Sequence, residues 1–220
     1  VFPGVKGVPA ANSSTKVMGN LLPVYLQPGA DKQPQQCKII VNYQLFLSFF
    51  LTDNMITPQQ LIQQFALQQH PEGGWYKETY KSTELLPLAA LPQRFNGDRS
   101  FSTAIYFLLE QGNFSAFHKI KSDECWHFYT GEPLVVYIIS QQGALDIIEL
   151  GNDINKGHVF QYVVPANCWF ASRPAAESNF CFVGCTVAPG FDFEDFDLAD
   201  AAELSNQYPQ HRNIIHELCR

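Results

Sequence analysis

Basic side chains are in short supply in this chain. Its 220 residues carry 14 lysines and arginines against 21 aspartates and glutamates, a net charge of −7. A phosphate backbone demands a basic face, so nucleic acid is not expected as a partner. Long apolar runs are missing as well. The longest, Ile39 to Leu51, has thirteen residues, short for a helix that spans a bilayer and too far from residue 1 for an ordinary signal peptide. No membrane partner is expected. The six cysteines, at positions 37, 125, 168, 181, 185 and 219, form no C-x2-C pair and no finger-like spacing. Cys181 and Cys185 would share one face of a strand but stand about 13 Å apart along it, beyond the reach of a disulfide. Cys125, Cys168, Cys181 and Cys185 sit in apolar, strand-like runs and read as buried thiols, which suits a reducing, cytoplasmic location. No internal repeat or low-complexity tract interrupts the chain.

What the sequence does have is aromatic bulk. Eighteen phenylalanines beside only two methionines point to rigid packing in a single core of ordinary size. Residues 1–54 mix Gly, Pro, Asn and Ser without a period. They are expected to be a poorly ordered or non-native extension, either upstream sequence joined to a shorter product, an atypical targeting segment or a loose tail. One domain is expected over 55–220. Thr57-Pro58-Gln59-Gln60 is a capping box with proline at the first helical position, and Leu61, Ile62 and Phe65 give that helix one apolar face. His70-Pro71 stops it. Gly73-Gly74 opens a strand over Trp75–Lys81, and Ser82–Asp98 reads as a long loop that could rim a pocket. Strands are then expected near 101–109, 114–120, 125–130, 134–140, 144–150, 158–164, 168–172 and 180–188, with Gly112, Gly131 and Gly143 among the turns. Many short strands at such spacing make an all-β sandwich or barrel. A short helix over Asp200–Gln207 closes the chain. The acidic run Asp192–Asp197, interleaved with Phe191, Phe193 and Phe196, reads as a solvated turn whose aromatics pack inward.

The segment from Gly112 to Gly131, GNFSAFHKIKSDECWHFYTG, places His118, Ile120 and Glu124 between two glycines. Alternate residues of a strand face one side, so His118 and Ile120 point together, and a hairpin bend returns the chain to bring Glu124 beside them. This spacing resembles the first cupin motif, G-x5-H-x-H-x3-E-x6-G, with Ile120 in place of the second histidine. The best match to the second motif is GHVFQYVVPANCWF, Gly157 to Phe170. It keeps Pro165, has Asn167 where a glycine is usual and puts Phe170 in the histidine position. Two of four metal ligands remain. A His and a Glu alone are a poor site for a transition metal, so no resident metal is expected beyond a weakly bound divalent ion. His127 lies an odd number of residues from Glu124 and would face outward in an unbroken strand. A bulge would turn it inward as a third ligand.

Further blocks, HPEGGWYKETYKS at His70 to Ser82, RSFSTAIYFLLEQG at Arg99 to Gly112 and VGCTVAPGFDFEDFDLAD at Val183 to Asp200, resemble the cupin-five family, a group of unknown function within the RmlC-like cupins. The likeness covers about Thr57 to Arg220. It implies a jelly roll (a double-stranded β-helix) with a short helix at each end, a homodimer and a small-molecule pocket.

His118 and Glu124 are the candidate catalytic pair, His118 as base and Glu124 or a tyrosine as partner acid; burial would raise the pKa of Glu124. Trp126, Trp169 and His127 are candidate ligand contacts. Thr103 shares a face with Ile105 and Phe107, and Tyr106 lies on the opposite face; either set could line the pocket, so both Thr103 and Tyr106 stand as candidates. Lys119, Lys121 and Arg173 would meet a phosphate if they reached the mouth. The resulting expectation is a metal-independent epimerase or isomerase acting on a sugar nucleotide or sugar phosphate. The alternatives are a non-catalytic binding or storage-like cupin and a metal-assisted isomerase or oxygenase.

Overall fold

The first helix forms as its capping box dictates. A computed structural model describes residues 56–176 and 178–220, and the expected extension over 1–54 lies outside them. The Thr57 side chain accepts from the Gln60 backbone N–H and the Gln60 side chain accepts from the Thr57 N–H, starting α1 (Pro58–Phe65). Ala66, in a left-handed conformation, ends it. Among the described residues no helix is long and apolar enough to cross a membrane.

Two antiparallel sheets follow. One contains β1 (Gln68–Gln69), β2 (Trp75–Lys81), β5 (Thr103–Glu110), β7 (Asp123–Gly131), β10 (Gln161–Val164) and β12 (Phe180–Ala188), in the order β1-β2-β5-β12-β7-β10. The other contains β6 (Ser115–Lys119), β8 (Leu134–Ile139), β9 (Leu145–Leu150), β11 (Trp169–Pro174) and β13 (Asp197–Leu198), in the order β13-β6-β11-β8-β9. From β5 onward the chain alternates between the sheets, apart from the β8–β9 hairpin, which is the winding of a jelly roll. The eight strands expected from 101 to 188 are all present, and Gly131 marks why their turns were legible. It adopts φ 93°, and a Cβ there would stand 2.5 Å from the Phe180 carbonyl oxygen.

The segment Ser82–Asp98 is more ordered than a loop. It holds β3 (Leu85–Leu86), paired with β4 (Arg99–Ser100), and does not reach the cavity described below. At the far end α2 (Ala201–Gln207) starts on the Asp200 side chain, and a second short helix, α3 (Arg212–Glu217), follows.

Three apolar clusters hold these layers. Phe107, Trp126, Phe170 and Val183 fill the space between the sheets. Phe117, Ile139 and Ala171 face Leu204, Ile215 and Leu218 of the C-terminal helices. Leu61 of α1 packs on Leu108 and Phe182. Burying each such side chain contributes about 1.5–3 kcal/mol. The described cysteines are all thiols; Cys168, Cys181 and Cys185 are buried, while Cys125 and Cys219 are half-buried.

Candidate functional site

Between the sheets, at one end of the barrel, lies a cavity of about 270 Å³. The parity left open in the sequence resolves here: Thr103, Ile105 and Phe107 of β5 line it, together with His118, Ile120, Glu124, Cys185 and Val187. Residues of β1 and β2 and two connecting stretches also line it. The first stretch brings His70 and Glu72; the second, which includes a 3-10 turn over Phe193–Asp195, brings Phe191, Phe193 and Phe196.

Glu72 is held from several sides. Its backbone carbonyl accepts from the Ala116 N–H at 2.9 Å and from Arg220 Nε at 3.2 Å. Ser115 Oγ donates to Glu72 Oε1 at 2.9 Å. The following turn needs Gly73, whose φ of 113° is left-handed and whose missing Cβ would overlap the Phe114 carbonyl oxygen. Glu72 Oε2 is thereby fixed 3.1 Å from His118 Nε2 and 3.5 Å from His70 Nδ1.

The hydrogen-bond pattern assigns the proton of His118. Its Nδ1 lies 2.7 Å from the Ala116 carbonyl oxygen, which only accepts, so Nδ1 carries hydrogen. A bare Nε2 lone pair facing a carboxylate would be repelled, so one proton lies between Nε2 and Glu72 Oε2. Burial pushes His118 below its ordinary pKa, partly offset by Glu124 and the Ala116 carbonyl. Burial pushes Glu72 up, against the His70 charge and the Ser115 hydrogen bond. Both shifts favour a neutral pair with the proton on Glu72. Glu124, 8% exposed, is raised to about 7, chiefly by burial and further by Glu72, against His118 and a Cys185 hydrogen bond.

The aromatic stretch is pinned from outside. Asp195 accepts two hydrogen bonds from Arg99, Nε at 2.6 Å and Nη2 at 2.7 Å, and lies 3.1 Å from Lys121 Nζ. Gly190 N donates to the Ser100 carbonyl and Phe191 N to Thr103 Oγ1. The solvated turn expected over 192–197 is corrected here: Phe191 and Phe196 pack inward as expected, but Phe193 is half-exposed at the cavity and Asp195 is buried in an ion pair. Phe196 and Phe170 approach His118 with ring centroids at 5.2 and 4.1 Å.

This jelly roll and its motif positions have known counterparts. Residues 59–199 match the family described as Cupin superfamily (DUF985). The chain belongs to the cupin-five family. An uncharacterised protein of Saccharomyces cerevisiae, YML079W, is 34% identical over 149 residues, covering 62% of this chain and 72% of its own. Protein SO0799 from Shewanella oneidensis superposes with a TM-score of 0.68 at 37% identity, over 76% of this chain and 99% of its own. A hypothetical protein from Leishmania major gives 0.69 at 31%, over 74% and 99%.

The cupin motif positions fall where the fold requires. Phe170 pairs directly across from His118, and Asn167 takes the left-handed φ of 61° that a motif glycine would supply. Ile120 and Phe170 thus fill the two vacated ligand positions with hydrocarbon. Both nitrogens of His118 are engaged, and no group of three or more metal-ligating side chains stands in metal-binding geometry among the described residues. The donors do not fit the four-ligand centre of a metal-binding cupin.

Of the candidate residues, His118, Glu124 and Thr103 meet at the cavity. Four others do not line it. Trp126 faces inward but lies deeper in the core, edge-on to Phe107 and Phe170. Tyr106 faces outward against Phe65 and Phe182. Trp169 packs beneath the C-terminal helices, with Lys119 over its ring. His127 is on the outer face, its Nδ1 accepting from Gln161 and its Nε2 donating to Thr186 Oγ1. No bulge turns it inward. Glu72 and His70 were missed; the signal was a His-x-Glu directly before Gly73-Gly74, inside the HPEGGWY block read only as a marker of fold.

Proposed function

We propose that this cupin is a small-molecule enzyme of the epimerase or isomerase type, moving a proton next to a carbonyl without a resident metal. The observation that carries this is the enclosure of two separate acid/base units in one cavity: Glu124, raised to about 7, and the Glu72–His118 pair sharing one proton. A base works best when its pKa lies near the working pH. The shared proton reverses the roles expected from sequence. Glu124, ionised near neutrality, takes the proton from the carbon beside the carbonyl, and the Glu72–His118 pair supplies its proton to the carbonyl oxygen. The C–H electron pair becomes the C=C of an enediol while the carbonyl π pair moves to oxygen. Return of the proton to the opposite face of the same carbon gives epimerisation, with the oxygen's proton handed back to the pair. Delivery to the former carbonyl carbon gives isomerisation, with the pair taking the proton of the neighbouring hydroxyl as that oxygen becomes the new carbonyl. No external reductant or oxidant is needed.

The test is solvent exchange. Sugars, sugar phosphates and sugar nucleotides incubated with the protein in deuterium oxide are expected to gain α-deuterium by NMR. Glu124→Gln is expected to slow this about 100- to 10,000-fold. A compound that raises the melting temperature yet never exchanges would instead support a non-catalytic binding cupin, the reading favoured by hydrocarbon at the two former ligand positions. Freshly purified protein is expected to hold well under one divalent ion per chain by elemental analysis. A stoichiometric ion would overturn the metal-free mechanism.

A further inference from the structure

Charge around the cavity narrows the substrate class, on the reading that this is a proton-transfer site. The basic residues that could have met a phosphate are engaged elsewhere. Lys119 pairs with Asp197 at 3.0 Å, Lys121 with Asp195 at 3.1 Å and Arg173 with Glu217 at 3.0 Å, and none of them lines the cavity. Arg99 is spent on Asp195. Lys77 touches the rim, but it sits opposite Tyr106, whose ring packs on the outer face, so its side chain is directed away from the interior. The carboxyl and imidazole groups that face inward are Glu72, Glu124, His70 and His118, beside the uncharged Cys185 thiol and Tyr76, and Glu78 stands at the mouth opposite the inward-facing Ile105. Burial lowers the pKa of both histidines and so favours their neutral forms.

Size and surface agree. About 270 Å³ falls below the roughly 300–1,000 Å³ of pockets that enclose drug-sized ligands, so a sugar nucleotide would not fit whole. Phe191, Phe193 and Phe196 pack together with centroids 5.0 to 6.4 Å apart, a continuous apolar wall that suits the C–H face of a sugar ring. The carboxyl groups opposite offer hydrogen-bond partners for hydroxyls.

We propose that the ligand is an uncharged sugar of monosaccharide size, an aldose or ketose taken without phosphate or nucleotide. Like charge at the mouth and the lack of an inward cation exclude the ester forms. The experiment is a titration of the full chain with D-fructose and D-mannose beside fructose 6-phosphate, mannose 6-phosphate and GDP-mannose, with deuterium exchange followed in the same samples. The free sugars are expected to bind at least about tenfold more tightly than their charged counterparts, with a gap that narrows as salt is added. Glu78→Lys is expected to raise ester affinity about tenfold relative to the sugar. Tighter binding of a phosphate ester or nucleotide by the unmodified protein, or no binding of any free sugar, overturns the inference. Preferential sugar binding without exchange leaves the substrate class standing and removes the catalytic reading; exchange of the esters alone does the reverse.

Discussion

Glu124 is the side chain on which activity and stability pull in opposite directions. Its pKa rises from an ordinary 4.5 to about 7 on folding, so between those values the native state binds the proton that the unfolded chain has released. Stability therefore falls as pH rises from about 4.5 to 7, by about 3 kcal/mol in all. Glu124→Gln, neutral at every pH, is expected to match the parent near pH 4.5 and to melt several degrees higher at pH 8, while exchange activity is lost. Thermal melts of both proteins at the two pH values check this; equal melting temperatures at pH 8 would show that the buried carboxyl carries no strain. Glu72 is expected to behave differently. Glu72→Gln keeps a donor for His118 Nε2 and an acceptor for Ser115, so its melting temperature should stay close to the parent's while the transferable proton is gone. Glu72→Ala leaves two buried polar groups unpartnered and is expected to cost about 1–3 kcal/mol for each, measured by denaturant unfolding.

At the scale of elements, the stretch from Gly190 to Phe196 has one buried ion pair, Arg99–Asp195, among the contacts that hold it. Arg99 and Asp195 are 4% and 5% exposed, and breaking a buried pair by removing one partner costs about 3–5 kcal/mol because the other charge stays behind. Asp195→Ala is expected to lose that much in chemical denaturation and to weaken sugar binding, since Phe191, Phe193 and Phe196 lose their tether. A loss under about 1 kcal/mol would mean the phenylalanines hold the loop by themselves. The contrast with the strands shows what was legible. Strands β5 to β12 announced themselves by alternation and turn residues, and His118 and Glu124 by spacing within one hairpin, all of it local. Glu72 reaches His118 through contacts with Ala116, Ser115 and Arg220, far apart in sequence, and no periodicity encodes that. Trp126 was assigned to the right face but not the right depth. For Tyr106 parity alone could not choose a side until the sheet's partner layers were known.

Among the described residues, the outer face of the larger sheet carries exposed apolar side chains. Tyr80, Tyr129, Phe160 and Val163 are 54, 50, 54 and 47% exposed, on β2, β7 and β10 or just before it, and exposed apolar patches of this kind mark association. A homodimer is expected at micromolar concentration, with Tyr129→Glu shifting it toward monomer; light scattering that finds the parent monomeric counts against this. The sheet order carries a consequence for the birth of the protein. β12 lies between β5 and β7 and pairs with both, yet its residues, 180–188, follow theirs by dozens of positions. Until the ribosome has delivered that strand, β5 and β7 each have an open side, and the cavity has no Cys185, no Val187 and no aromatic wall. Such distant pairing folds slowly and leaves nascent strand edges open to wrong partners. A growing chain shorter than about residue 198 can hold neither the site nor a closed barrel, so expression of this cupin should depend on chaperones that shelter incomplete sheets.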